Sequence, residues 1–474
     1  MVDLTTALKT LLQNKYTTGI QDSLYAKNVI RKRFQMDFET IVQDGSRVVD
    51  AVQTRRNTSA RFVTEHEAFP EPQIAVVKNT AWFPSWIRAA GSVAYTTQKR
   101  SSMMRSFGQA LTIEMQGVRD DVNNKMEMYN CTDGSGLLAQ ITKISATTIR
   151  IPQDRAFRIE QGYPLQFWVV GATTDFDSAT TTTMRANPAA HAYYEVDSID
   201  FDDTGTITDE FGHAGQPTAL VTFVDALDAT VATGDYIVIA GSLRAVGTQL
   251  YTTVEMGIGG IVGLSRNYTT NPYDLKTYGA TFQQHAEDPS LGTTNHFYGI
   301  DPAANPNWRP VAIDAAGREA DPRLFQVAMN ALKTRSGKSI DQVKDIYLHS
   351  NHLLTWASNR YAEERMVLSP ENGTEKGNRG LAFQRGERMY PTYSGIPLVD
   401  GRYFDSDKAY IVMNDYVRFG VLQKFAIWDQ GDGGLHKSYN RAPRIDFEFQ
   451  GFENMAPKLR NCHCVLYNLS TNFS

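Results

Sequence analysis

Several stretches of this 474-residue chain carry residue types that could do chemistry. Gly257-Ile258-Gly259-Gly260-Ile261-Val262-Gly263 has the glycine density of a phosphate cradle. A dinucleotide fingerprint would need its third glycine at Val262, a buried strand before it and a βαβ unit after it. The run reads instead as a flexible hinge or a close-packing turn. Asp200-x-Asp202-x-Thr204-Gly205-x-Ile207 begins like a calcium loop, but Phe211 stands where the bidentate Glu belongs and Glu210 sits one place early. Its flanks alternate like strands, so the spacing predicts a β-hairpin turning at Asp203-Thr204-Gly205. His349 and His352 lie three apart at the start of a predicted helix with no third ligand, which predicts a structural pair. Cys462-His463-Cys464 alternates along a predicted strand, with both thiols on one side and His463 on the other. That geometry does not close a tetrahedral metal site, and Cys131 is the one other thiol, so buried thiols are expected. Glu363-Glu364-Arg365 reads as a solvated helix face. There is no Walker sequence, no G-x-S-x-G elbow and no Ser/His/Asp or paired-carboxylate pattern. The expectation is a protein that is not an enzyme, with no catalytic, cofactor-binding or metal-ligating residue and no cofactor.

The bulk numbers point the same way. The chain is 42% hydrophobic and 21% charged, an ordinary globular composition, and its length suggests about two to four domains. A net charge of −5 argues against a dedicated nucleic-acid clamp. The charge is uneven: residues 151–245 hold 14 Asp/Glu and 4 Lys/Arg, a net of −10, so the remainder carries +5. Three cysteines suggest reduced thiols in a cytoplasm rather than a disulfide framework. No signal peptide and no membrane-length apolar run is visible.

The element that must position everything else runs from Met104 to Tyr129. Met104, Phe107, Leu111, Met115, Val118, Val122, Met126 and Tyr129 recur at helical spacing and form one apolar stripe. Glu114, Arg119, Asp120, Asp121, Asn123, Lys125 and Glu127 make a wet face. Ser101 and Ser102 can cap its start, and Thr132-Asp133-Gly134-Ser135-Gly136 supplies stop chemistry. Such a helix is about 39 Å long.

Before it, residues 1–45 read as two amphipathic helices, marked by Leu4, Leu8, Leu11, Leu12 and by Leu24, Val29, Ile30, Phe34. Arg31-Lys32-Arg33 is a basic cluster, either a solvated face or an arm against a neighbour or polyanion. Residues 46–100 change to strand-like runs at Arg47–Gln53, Ile74–Lys78 and Ser92–Thr97, broken by Phe69-Pro70-Glu71-Pro72 and Trp82-Phe83-Pro84-Ser85-Trp86. A two-stranded ribbon is marginal alone, and an exposed Trp82/Trp86 pair is a liability for a monomer, so the ribbon should rest on another copy. After the helix, short β runs at Thr147–Ile151, Leu165–Val170, Tyr193–Phe201, Ala219–Val224 and Tyr236–Ala240 predict a small closed or half-closed barrel at 137–245, with a loop from Thr173 to Ala190. The rest is mixed α/β. Helices are expected at Pro322–Ser336 and from Ser350, and a Gly-rich loop at Glu371–Gly380. Strands are expected at Asp345–Leu348, Gly395–Val399, Ala409–Val412, Phe425–Trp428, Arg444–Phe449 and Cys464–Leu469.

This order of parts resembles the major capsid protein of tailed bacteriophages. The spine helix ends in Tyr129-Asn130-Cys131-Thr132-Asp133-Gly134-Ser135-Gly136-Leu137-Leu138-Ala139, similar to the family's tyrosine, Gly-Asp-Gly-like turn and Gly-Leu/Ile-Ala, with Cys131-Thr132 in place of the usual glycine. His296-Phe297-Tyr298-Gly299-Ile300-Asp301 with Pro306-Asn307-Trp308 after it resembles its Tyr-x-Gly-Ile-Asp…Trp stretch. Asp321–Gly337 and Asn454–Leu469 resemble the family's next helix and its closing segment.

The resemblance implies an α+β fold of the Hong Kong 97 type plus a small all-β, barrel-like insertion. Residues 1–45 would be the N-terminal arm, 46–100 the E-loop, 101–136 the P-domain spine helix, 137–245 the inserted domain, 246–425 mainly the A-domain, and 426–474 the return to the P-domain. It implies self-assembly into hexamers and pentamers of an icosahedral bacteriophage head enclosing double-stranded DNA. The protein would belong to the virion and be assembled in the host bacterial cytoplasm. Its partners would be further copies of itself, a separate scaffolding protein, a portal and in some cases a decoration protein, with non-specific DNA contact and no membrane. Some family members cross-link an E-loop lysine. Lys78 lies in the right segment without a supporting motif and reads as a surface lysine. An encapsulin-like cargo shell, a glycan-acting enzyme with a β-barrel module and a small-partner binding protein remain alternatives.

Overall fold

The computed structural model describes residues 29–37, 43–44, 47–55, 74–82, 84–94, 104–134, 136–169, 183–185, 193–207, 215–246, 249–252, 254–255, 257–262, 300, 305, 308–363, 392–427, 435–437 and 444–471. Residues 1–28, most of the Thr173–Ala190 stretch and the Glu371–Gly380 loop lie outside this set, as do Ser101 and Ser102.

The spine helix spans Met104–Cys131, 28 residues. Along it Met115, Val122 and Met126 are buried, joined near the end by Met128, Asn130 and Cys131. Val118 and Tyr129 are half-buried, and the side chains of Met104, Phe107 and Leu111 lie outside the described residues. Part of the face expected to be wet is covered: Tyr163 donates to the Asp121 carboxylate at 3.3 Å, and the Lys125 ammonium sits 4.7 Å from the Tyr163 ring centroid. Glycines at positive φ, Gly134 at 76° and Gly136 at 73°, turn the chain out of the helix.

The glycine run packs against this end. Ile258–Val262 is a short, fully buried helix, so the close packing expected of the run is present and the flexible hinge is not. A Cβ on Gly257 would lie 2.0 Å from the Thr132 carbonyl oxygen and 2.3 Å from that of Tyr129. The Gly259 N–H donates to the Thr132 carbonyl at 3.1 Å. The glycines are therefore there for close approach.

Two sheets build the body. In the six-stranded sheet the order is Val311–Asp314, Cys464–Tyr467, Ala409–Val412, Asp345–His349, Ile396–Gly401, Thr392–Tyr393. Helix Pro322–Ser336 has the bounds expected from sequence. Asp321 caps it by accepting from the Leu324 N–H at 2.6 Å, and Gly337 ends it at φ 64°. Leu324, Phe325, Leu332 and Trp356 pack on Ile346, Ile411 and Leu466.

The other sheet centres on two long strands, Val417–Ile427 and Arg444–Pro457, of which the sequence pattern marked one end each. Gln35–Asp37 adds to the first in parallel. Ser85–Ala94 pairs with the second from Ala94↔Arg444 to Ser85↔Glu453, so the strand expected at Ser92–Thr97 starts earlier.

The arm departs from expectation. Val29 to Phe34 is a turn and a short 3-10 segment leading into a strand, not an amphipathic helix. Nor is the basic cluster a solvated or polyanion-facing patch. Arg31 is buried against Glu255 and Glu453, Arg33 pairs with Asp345, and Lys32 alone is exposed. Tertiary ion pairs override the helical spacing here.

In the ribbon, Arg47–Arg55 pairs antiparallel with Val76–Trp82. The tryptophans part company. Trp82 is 1% exposed, donates to the Asp50 carboxylate at 3.1 Å, and covers Gly420, where a Cβ would lie 2.1 Å from its ring. Arg418 pairs with the same Asp50. The ribbon's base thus belongs to its own subunit.

The described strands of 137–245 form a nine-stranded sheet whose main path runs from Leu137–Gln140 at one end to Thr142–Lys143 at the other. Only Ile141 separates those two strands in the chain, so the sheet has to roll on itself, as a barrel-like block does. Its strands lie close to the expected positions. The hairpin at Asp203 does not form: Tyr194–Asp200 and Thr206–Ile207 both pair with Gln216–Phe223 and make one interrupted strand. Asp203 in the interruption accepts from Arg150 and Thr218, each at 2.6 Å, and these bonds hold its carboxyl down to about 2.

The block is not a separate core. Its Ile149, Phe167, Val221 and Ile237 belong to one hydrophobic cluster with Met128, Ile258, Tyr347 and Phe419. A buried charge cluster also joins the parts. Asp405 accepts from Arg155 and Arg158 of the block, the latter at 2.7 Å, and from Lys408 at 2.8 Å. Burial pushes the Asp405 carboxyl up, but Arg155, Lys408 and Arg158 outweigh it and hold it well below the carboxylate range.

Two stability measurements check this packing. Gly257→Ala should cost about 2–4 kcal/mol in a urea melt, because backbone carbonyls rather than a flexible side chain oppose the new methyl. Asp405→Ala should cost about 3–5 kcal/mol, because it strands buried cations.

Candidate assembly interface

Most of the residues whose types suggested chemistry have a described environment. The His349 Nδ1 accepts from the Asn351 N–H at 3.2 Å, and the His352 Nε2 meets the Ser406 carbonyl. Burial lowers the pKa of both, His352 to about 4. Burial, aided by Arg460, lowers His463 to about 3. All three thiols are buried, and burial pushes each upward. Cys462 and His463 sit in the turn before the strand, which begins at Cys464. Glu363 ends helix Ser350–Glu363, while Glu364 and Arg365 lie outside the described residues. Among the described residues no three His, Cys, Asp or Glu converge to hold a metal, and no helix is long and apolar enough to cross a membrane.

What the surface does present is apolar. On the ribbon, Ile74 is 82% exposed and Val77 57%, whereas Val52, Thr54 and Thr80 are turned inward. Lys78 is exposed beside them. Along Ser85–Ala94, alternation puts Trp86, Arg88, Ala90 and Ser92 on the open face. Trp86 is 52% exposed, with its ring edge-to-face against Phe452 at 4.0 Å and the Arg88 guanidinium 4.6 Å from its centroid. The ring is thus fixed from two sides while half of it faces out.

Beside this strand is a cavity of about 430 Å³. Its walls are Ser85–Ala90, the spine face bearing Val118, Val122 and Met126, and the Ile239–Ser242 and Val254–Glu255 segments. Polar and charged groups share the lining: Ser85, Arg88, Asp121, Lys125, Tyr129, Ser242 and Glu255. The Tyr129 hydroxyl bonds the Ser242 hydroxyl at 2.8 Å, and burial pushes Tyr129 up to about 12, so it stays protonated. Among the described residues, Ser85–Ala94 pairs through one edge only, with Arg444–Pro457. The strand thus presents a fixed, half-exposed aromatic ring beside a cavity of mixed polar and apolar lining, the kind of feature that can anchor an extended segment. The residue pattern had flagged Trp86 through its liability. The Phe452 and Arg88 supports were not visible, because the register of two strands far apart in sequence creates them.

No protein-family model matches the chain, and no curated protein sequence does. Solved structures similar to it include the cyanophage A-1(L) capsid asymmetric unit, at 10% identity and a TM-score of 0.41, over 91% of this chain and 90% of that one. A Gordonia phage Cozz structure is similar at 11% identity and a TM-score of 0.39, over 93% and 86%. A Mycobacterium phage Patience structure is similar at 9% identity and a TM-score of 0.39, over 99% and 89%.

Trp86→Ala should cost the subunit about 1–3 kcal/mol, from the buried half of the ring and its Phe452 and Arg88 contacts. It should weaken self-association about 30-fold, as loss of a central aromatic anchor does, measured by concentration-dependent sedimentation.

Proposed function

We propose that this chain is a shell-forming structural protein, the major capsid protein of a tailed bacteriophage. The observation that carries the proposal is the pairing on one subunit of an apolar projection and a receptor. Ile74 and Val77 stand out on a ribbon rooted by Trp82, and the half-exposed Trp86 lies beside a cavity between its strand and the spine helix, on a strand that pairs through one edge among the described residues. A subunit with both can lay its ribbon on the next copy, and head-to-tail repetition closes rings. The sequence resemblance supplies the finer assignment: arm at 1–45, E-loop at 46–100, spine at 101–136, inserted block at 137–245, A-domain at 246–425 and the return to the P-domain at 426–474.

In this reading the copies form hexamers and pentamers of an icosahedral head around double-stranded DNA. A scaffolding protein and a portal are further partners in assembly, and a decoration protein is an optional addition to the finished head. The mechanism is burial of apolar area and strand pairing, not catalysis. The net −10 of residues 151–245 supports an outward-facing block with the +5 remainder nearer the genome, where contact would be sequence-blind and weakened by salt. The same geometry would serve a cargo shell of the encapsulin kind. Nuclease-protected DNA in particles recovered from infected cells separates the two.

The direct test is assembly of the purified chain. The wild type should form rings or shells by sedimentation velocity and electron microscopy. Replacing both Ile74 and Val77 by Ser should leave a folded subunit that stays small. A wild type that remains a discrete monomer at every concentration would sink the proposal.

A further inference from the structure

The outer face of the β-rich block is formed by Thr148–Pro152, Gln216–Phe223 and Tyr194–Asp200, which lie side by side in the sheet. Ile149, Val221 and Phe223 point into the core. The residues that alternate with them therefore face out. The register sets Thr148, Thr222 and Ser198 in one row and Arg150, Leu220 and Asp200 in the next. Val224 extends the face, with its N–H donating to the Glu195 carbonyl at 3.1 Å. Ile144 flanks it, with its N–H donating to the Thr148 carbonyl at 3.1 Å. Val224 is 59% exposed and Ile144 48%, while Leu220 and Thr222 are half-buried.

The charge on this face has one sign. Along Tyr194–Asp200 an irregularity between Val196 and Ser198 leaves Glu195, Asp197, Ser198 and Asp200 all exposed. The cations on these strands and on Thr142–Lys143 beside them are Lys143 and Arg150. The Arg150 Nε donates to the Asp203 carboxylate at 2.6 Å, and the Lys143 Nζ donates to the Asp228 carbonyl at 2.9 Å. Thr218 also donates to Asp203 at 2.6 Å, so the Asp203 segment closes the far end of the face. The near end stands in water, a floor of Ile144, Leu220, Thr222 and Val224 with carboxylates along one side. Residues 151–245 as a whole add a net −10 around it.

We propose that this face docks a basic protein segment. Branched or aromatic side chains of the partner cover the floor, and its lysines or arginines stand opposite Glu195, Asp197 and Asp200. The floor contributes apolar area, and the carboxylates select the partner and speed its approach. A second copy set face to face would oppose carboxylate to carboxylate. A nucleic acid or an anionic lipid surface would meet the same repulsion. A cationic polypeptide is the occupant that floor and border both favour. The contact joins the chain to a different protein and so lies beyond the ribbon contact between copies.

A display library of random dodecapeptides, panned on the full chain below its self-association concentration, tests this. Clones that also bind Val224→Arg are removed first, since that substitution sets a like charge on the floor. The remaining clones should be rich in Lys and Arg interspersed with Val, Ile, Tyr or Trp. A synthetic peptide of their consensus should bind the wild type and lose about ten-fold in affinity for the double variant Glu195→Gln with Asp197→Asn, and its binding should weaken with added salt. Hydrogen exchange with the peptide bound should show new protection in Gln216–Phe223 and Tyr194–Asp200. The proposal is overturned when no clone distinguishes the wild type from Val224→Arg, when the consensus is neutral or acidic, or when the protection falls outside the block. Loss of self-association in Val224→Arg also overturns it, because the face then belongs to a second copy. Circular dichroism melts check that the variants fold, and Val224→Ser replaces Val224→Arg if the latter does not. Binding is read on the unassembled subunit, so it stands or fails apart from shell formation.

Discussion

The carbonyl end of a long helix has to be satisfied when it is buried, and the arrangement of this molecule depends on how that is done. The spine helix ends inside the subunit, with Asn130, Cys131 and Thr132 all buried. The Thr132 carbonyl is met by the backbone N–H of Gly259, and the approach is close enough that a side chain at Gly257 would collide with it. That contact fixes where the chain returns after the β-rich block. It also places the groups on either side of the glycines: Ile261 presents its carbonyl to Arg460, and Glu255, two residues before Gly257, meets Arg31. The block leaves the same point through Gly134 and Gly136 at positive φ. Spine, block and body are therefore registered at one place.

Two buried charge clusters tie the outlying parts to this centre. Asp405 pairs with Arg155, Arg158 and Lys408, and Arg155 also meets Asp154. Arg31 pairs with Glu255 and Glu453. Buried pairs return little net stability once desolvation is counted, but breaking them is costly. Their effect is therefore on arrangement: the first seats the β-rich block against the body, and the second seats the arm.

The two tryptophans of the ribbon show how a single turn divides a segment between inside and outside. Trp82 fills the space above Gly420 and roots the ribbon in its own subunit. Trp86, past Pro84, is held by Phe452 and Arg88 with half its ring in solvent. The expectation that both would be exposed came from their nearness in sequence. Strand alternation and the break at Pro84 put them in different environments.

Local physics settled a good part of the structure. Helix Pro322–Ser336 needed only its periodicity, the Asp321 cap and Gly337, so its bounds were legible. The strands of the β-rich block were legible for the same reason, since alternation and glycine punctuation are local. So was the spine helix. What the tertiary structure decided were pairings between distant segments. The long strands Val417–Ile427 and Arg444–Pro457 carry Arg418, Glu453 and Asn454 inward, which no apolar pattern would mark. Arg31 looked like part of a surface cluster, because its two partners lie 224 and 422 positions away. The glycines of 257–260 read as either a hinge or a close-packing turn, because the carbonyls they approach belong to a helix that ends more than a hundred residues earlier. Sequence by itself determined which segments could be helix, strand or turn. It did not determine which buried charge or bare backbone would meet which partner, because burial and ion pairing are properties of the assembled chain.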